Sequence, residues 1–148
     1  MPKSPFFNRY GSWLTVLSGC MLIISVVLLV PVLAEAGSNI RKDGSIVAEI
    51  DGRYLRQRGS IVAEFDGDNV RRSGSIVLTF DGRYVRERGS IIAEIDGRNI
   101  RRKGSIEWQI DGNGNVRRRG SISYSVDGYT DSESMKRKIV TFLLLFAE

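Results

Sequence analysis

The chain repeats itself every fifteen residues, and this period limits its possible folds more than any other feature. Gly-Ser-Ile begins at Gly44, Gly59, Gly74, Gly89 and Gly104, and again at Gly120 after one added residue. Asp-Gly recurs at Asp51, Asp66, Asp81, Asp96, Asp111 and Asp127. An apolar residue followed by arginine recurs at Ile40-Arg41, Leu55-Arg56, Val70-Arg71, Val85-Arg86, Ile100-Arg101 and Val116-Arg117. A unit this short cannot bury an apolar face alone, so the copies must stack or close on one another. A thirty-residue period overlies the first: Asn39, Tyr54, Asn69, Tyr84 and Asn99 alternate, and Asn115 breaks the order.

Each unit reads as two strands. Ile46, Ala48 and Ile50 alternate with Val47 and Glu49, a period of two rather than 3.6. Asp-Gly between two such runs is a strong hairpin signal. A two-residue Asp51-Gly52 loop places Ile50 opposite Arg53 and Ala48 opposite Leu55. One face then carries Ile46, Ala48, Ile50 and Leu55; the other carries Val47, Glu49, Tyr54 and Arg56. Gly59-Ser60 supplies the return turn. All three prolines lie at or before Pro31, so nothing later interrupts a ladder. The expectation is about twelve short antiparallel strands.

The C-terminus indicates what those strands surround. Thr130-Asp-Ser-Glu133 has capping-box spacing and predicts a helix over residues 131–147. From Ile139 to Ala147 that helix is apolar nearly all round, so it must be buried on every side. That apolar stretch is too short to cross a bilayer, and its length of about 14 Å is close to the height of a short strand. The expected fold is therefore mainly β, an antiparallel hairpin barrel or ring around the C-terminal helix. Ala48, Ala63 and Ala93 at mid-strand leave space for it. The alternative is a solenoid with fifteen residues per coil, which stacks Arg56, Arg71, Arg86 and Arg101 in one repulsive column.

Tandem Asp-Gly-x-x-Ile-Arg-x-x-Gly-Ser units followed by a phenylalanine- and leucine-rich tail resemble the bacterial β-flower repeat proteins, over about Ser38 to Ala147. That resemblance implies an exported protein from a family of unknown function. The strand count and terminal helix are also similar to the tubby-like barrel, as architecture alone. No tubby lipid-binding residue can be placed on this chain, so that family's ligand does not carry over.

The first 36 residues read as an address. Lys3 and Arg9 precede an apolar run from Trp13 to Val32, and Ala34-x-Ala36 has the small-x-small form of a cleavage site. The run is long for a signal peptide and long enough to span a membrane. Two fates therefore fit: cleavage after Ala36, or retention as a transmembrane anchor. Leu17-Ser-Gly-Cys20 resembles a lipobox, but most of the apolar core follows the cysteine instead of preceding it. Either fate places the remainder outside the cytoplasm, in the periplasm, secreted, or held at the membrane.

Composition removes several chemistries. There is no histidine, and Cys20 is the only cysteine. Those absences exclude a Ser-His-Asp triad, a Cys-His dyad, cysteine- or histidine-bound zinc and an intrachain disulfide. Nearly every carboxylate is a repeat position, so no catalytic pair stands out. Asp111-Gly-Asn-Gly-Asn115 faintly resembles a calcium loop, but Ile122 stands where the twelfth-position acid belongs; a lengthened hairpin loop explains it better. The expectation is a protein that is not an enzyme and has no cofactor, no metal and no small-molecule substrate.

Charge is the remaining lead. Between Gly37 and Gly128 there are 17 Lys or Arg against 13 Asp or Glu, interleaved, which argues against nucleic acid as a partner. The repeated arginines face outward near Glu49, Glu64 and Glu94, where cross-strand ion pairs are expected. Arg101-Arg102-Lys103 and Arg117-Arg118-Arg119 are denser and contain no carboxylate, which makes them the candidate anion site. Tyr54, Tyr84, Trp108 and Tyr124 form either a carbohydrate-stacking face or cross-strand packing. The partners this pattern implies are a membrane or a cell-envelope polymer.

Overall fold

The computed structural model describes residues 37–147. The expected signal peptide or transmembrane anchor, residues 1–36, lies outside the described residues. No helix among the described residues is long and apolar enough to cross a membrane.

Twelve antiparallel strands close into one barrel. They are β1 (Ser38–Lys42), β2 (Ser45–Asp51), β3 (Tyr54–Gln57), β4 (Ser60–Asp66), β5 (Asn69–Arg72) and β6 (Ser75–Asp81). There follow β7 (Tyr84–Glu87), β8 (Ser90–Asp96), β9 (Asn99–Arg102), β10 (Ser105–Ile110), β11 (Asn115–Arg118) and β12 (Ser121–Val126). Each strand pairs with its neighbours in sequence, and β1 pairs with β12 through Ile40↔Val126 and Arg41↔Ser125 to complete the ring. The solenoid is thereby excluded, since its rungs would run parallel.

The two ends of the barrel use different turns. At one end Gln57 pairs with Ser60, so the loop is Arg58-Gly59, and both residues have positive φ, 49° and 78°. That is the type I′ requirement, and the same X-Gly pattern recurs at Asp43, Ser73, Arg88, Lys103 and Arg119. At the other end Asp51 pairs with Tyr54 and the loop is Gly52-Arg53, with positive φ at Gly52 alone. The expected Asp51-Gly52 loop is thus displaced by one residue. Ile50 faces Leu55, not Arg53, which keeps a guanidinium out of the apolar lumen.

A β-bulge in every type I′ hairpin corrects a second expectation. Leu55 pairs with Ala63 but Arg56 pairs with Ile61, leaving Val62 as the extra residue. Val62 packs against the core, while Ile61 turns outward and is 52% exposed. Ile46, predicted to face inward, is exposed for the same reason. Bulges bend and twist a strand pair, which is what a small closed barrel needs.

The lumen is filled in layers. Ile40, Leu55, Val70, Val85, Ile100 and Val116 are each 0–1% exposed, and opposite them stand Ala48, Ala63, Leu78, Ala93, Trp108 and Tyr124. Helix α1 (Glu133–Leu145) occupies the space within. Five successive residues, Ile139 to Leu143, are buried; at 100° per residue they cover more than a full turn, so the helix is enclosed on all sides. Phe142 meets the edge of Tyr124 on β12 with ring centroids 5.2 Å apart, and Arg137 lies over Phe80 on β6, halfway round the ring. The helix starts two residues later than predicted: its N-cap is Ser132, whose Oγ accepts the Met135 amide at 3.2 Å, and not Thr130. Among the described residues the core cluster runs from Ile40 to Ala147, and the sheet closes on itself.

Candidate functional site: a basic rim at one end of the barrel

The outer wall carries a belt of ion pairs between each repeated arginine and an Asp-Gly aspartate. Arg56–Asp51, Arg71–Asp66, Arg86–Asp81, Arg101–Asp96 and Arg117–Asp111 lie at 3.1–3.4 Å, and Arg41–Asp127 at 2.7 Å. Arginine thus reaches back along its hairpin to the aspartate, whereas the sequence pointed to the mid-strand glutamates. Glu64 and Glu94 instead hold the loop arginines Arg53 and Arg83, which also lie over Tyr54 and Tyr84. Those two tyrosines are therefore on the outer wall, while Trp108 and Tyr124 are buried in the lumen. The four make no common stacking face.

The Asp-Gly end is electrostatically closed. Asp131 takes Arg98 Nη2 and Lys136 Nζ, both at 3.0 Å, and the Tyr129 hydroxyl at 3.1 Å. Lys136, Arg98 and Tyr129 together lower its pKa to about 2. Arg137 pairs with Asp68. The Asp111 carboxylate accepts the Asn115 side chain and the amides of Asn115 and Asn113, and these bonds lower its pKa to about 2. That carboxylate is fully used within its own hairpin, by the loop groups and by Arg117. The loop is a hairpin turn lengthened by one residue, and no metal-binding cluster occurs among the described residues.

The type I′ end is different. Among the described residues, six exposed cations have no carboxylate within ion-pair distance: Lys42, Arg58, Arg72, Arg88, Lys103 and Arg119. All six lie on the type I′ turns or at the strand ends entering them. Lys42 sits over Tyr124 at 5.8 Å and Arg72 over Phe146 at 5.3 Å, so these two border the barrel mouth near the end of α1. The negative end of the helix dipole favours cations there. Among the described residues, the unpaired carboxylates at this end are Asp43 and Glu87.

The predicted triplets divide between the two roles. Arg101 and Arg117 belong to the ion-pair belt. Arg102 and Arg118 share Glu107, at 3.5 and 2.9 Å, and Arg118 lies over Trp108. Lys103 and Arg119 have no carboxylate partner among the described residues. The triplets contain no carboxylate in sequence, but Glu107 arrives from β10 across two hairpins. Sequence reading missed Lys42, Arg58, Arg72 and Arg88. For Arg58 and Arg88 the signal was available: the residue before the repeated glycine is basic in four of six copies.

The rim is indented. An open groove of about 310 Å³ is lined by Tyr84, Ile91, Glu94, Arg102 and Lys103, among others. Another of about 540 Å³ lies between Ile46, Gln57 and Arg58. Each combines a wall isoleucine with the cation of the following turn. Comparison of the chain with known protein families, curated proteins and solved structures gives no match.

Proposed function

We propose that this is a non-catalytic, exported protein of the bacterial envelope that binds an anionic envelope polymer or lipid on its basic rim. The observation that carries the reading is segregation. Cations on the outer wall and at the Asp-Gly end are neutralised by partners, while the six free ones gather at the opposite end. Clustered, unpaired charge on one surface raises the local concentration of an oppositely charged partner and speeds its encounter. Export is supported by the apolar leader with its small-x-small site, and by the resemblance of the repeat to exported β-flower proteins. The enclosed helix gives the barrel a filled lumen, so binding falls to the surface.

The test is affinity for soluble polyphosphate at increasing salt. Binding at low salt that weakens steeply as salt rises is expected. Replacing Arg58, Arg88, Lys103 and Arg119 together with Ser removes most of it, and replacing Arg56, Arg71, Arg86 and Arg101 changes it far less. Absence of binding at low salt defeats the proposal.

A further inference from the structure

All the large apolar side chains exposed among the described residues lie at this same end. Ile46, Ile61, Ile76, Ile91, Ile106 and Ile122 are 48–54% exposed. Each is turned outward by the bulge of its hairpin and stands beside the arginine it pairs with, as Ile61 beside Arg56. The ring lies two residues behind the turns, or about 7 Å of strand. A protein surface resting on a bilayer sinks its apolar groups about 5–10 Å into the boundary between headgroups and acyl chains.

From this we infer that the type I′ end docks on an anionic phospholipid bilayer, with turn cations at the phosphates and the isoleucine ring entering the headgroup layer. The inference rests on the polyanion-binding reading and narrows it to one partner. A soluble polymer needs the cations alone and leaves six half-exposed isoleucines at the same end without a use. A second copy of the chain, packed rim to rim, sets free cations against free cations. A bilayer with acidic lipids matches both: basic residues near its surface are attracted to anionic headgroups, and apolar side chains leave water. The grooves between successive turns, Ile46 with Arg58 and Ile91 with Arg102 and Lys103, present the two chemistries side by side.

The experiment uses residues 37–148, because the sheet closes on itself and α1 fills its lumen within that span. The probes are phosphatidylcholine vesicles with and without phosphatidylglycerol, and soluble polyphosphate. Binding is expected to vesicles with phosphatidylglycerol and not to phosphatidylcholine alone. Changing Ile61, Ile91 and Ile106 together to Ser should weaken vesicle binding about tenfold and leave polyphosphate binding unchanged. As a check that needs no loss of stability, the fluorescence of the Ile76→Trp variant should shift to the blue with anionic vesicles and stay unshifted with polyphosphate. Vesicle binding unaffected by the triple change, or an unshifted signal from the Ile76→Trp variant on bound vesicles, overturns the inference. So does binding to polyphosphate without binding to anionic vesicles, which leaves the wider proposal standing. Binding to neither defeats both.

Discussion

The two ends of this barrel are built from one repeated hairpin and differ in nearly every physical property. The Asp-Gly end has its aspartates on the belt arginines, its loop cations on Glu64, Glu94 and Asp131, and the start of α1 fastened across it through Arg137 and Asp68. The opposite end leaves six cations unpaired, six isoleucines exposed, and six non-glycine residues at positive φ. A left-handed conformation costs a residue with a Cβ about 1–2 kcal/mol. The unit thus concentrates its stabilising contacts at one end and its free charge and strain at the other. Strain and unpaired charge retained together are the pattern of a binding surface.

The largest test breaks what the two ends share. Leu143 is 1% exposed in the middle of the lumen, and Leu143→Asp should unfold the barrel, at a cost of at least about 4 kcal/mol, visible as loss of the thermal transition. Leu144, nearer the basic mouth, is only partly buried. The same change there should cost clearly less, because its carboxylate reaches water.

Glycine substitutions compare the ends directly. A Cβ on Gly114 at the Asp-Gly end meets Tyr129 Cβ at 2.6 Å and the Val126 carbonyl at 2.8 Å, whereas one on Gly59 meets nothing within 4 Å. Both glycines have positive φ. Gly114→Ala should therefore lower stability by about 3 kcal/mol and Gly59→Ala by about 1 kcal/mol in denaturant melts. Equal losses would mean that the closed end is no tighter than the open one.

Arg88→Asn sharpens the contrast in the other direction. Asparagine tolerates the left-handed region better than arginine, so stability should rise by about 0.5 kcal/mol while affinity for polyphosphate falls. One substitution moving the two quantities oppositely would show that strain is retained for binding. Asp96→Asn, which removes one exposed belt pair, should change stability by about 0.5 kcal/mol or less.

Acid acts on the closed end. Asp111 and Asp131 have folded pKa values of about 2, below the ordinary carboxylate value near 3.8. A depressed folded pKa contributes stability that is complete above the unfolded pKa and lost as pH falls through the folded one. Melts should therefore weaken between about pH 4 and pH 2. Asp131→Asn should flatten that slope and leave the polyanion-binding rim intact.

Much of this architecture can be read from the chain. Period two, two turn signals per unit and an all-apolar tail specify hairpins, strand number and an enclosed helix. The face assignment of Ala48, Ile50 and Leu55 survives the displaced turn because that displacement changes the register by two residues, and two is the pleat period. Ile46 fails because a bulge slips the register by one and sends it to the other face. Nothing local in Ser45-Ile46-Val47 marks that bulge; it answers to the curvature of the whole ring. The rim was half legible. Lys103 and Arg119 stood out in dense triplets, but Arg102 and Arg118 are neutralised by Glu107 from a neighbouring strand, a pairing that only the closed sheet creates.

Closure around a solid helix has a consequence for the repeat itself. Tandem copies are easily gained or lost, and in an open array one more unit simply lengthens the protein. Here one unit is two of the twelve strands, so an added copy widens the girth by a sixth and loosens every wall from the plug, while a lost copy squeezes it out. The thirteen residues of α1 act as a mandrel that fixes how many petals the ring can hold.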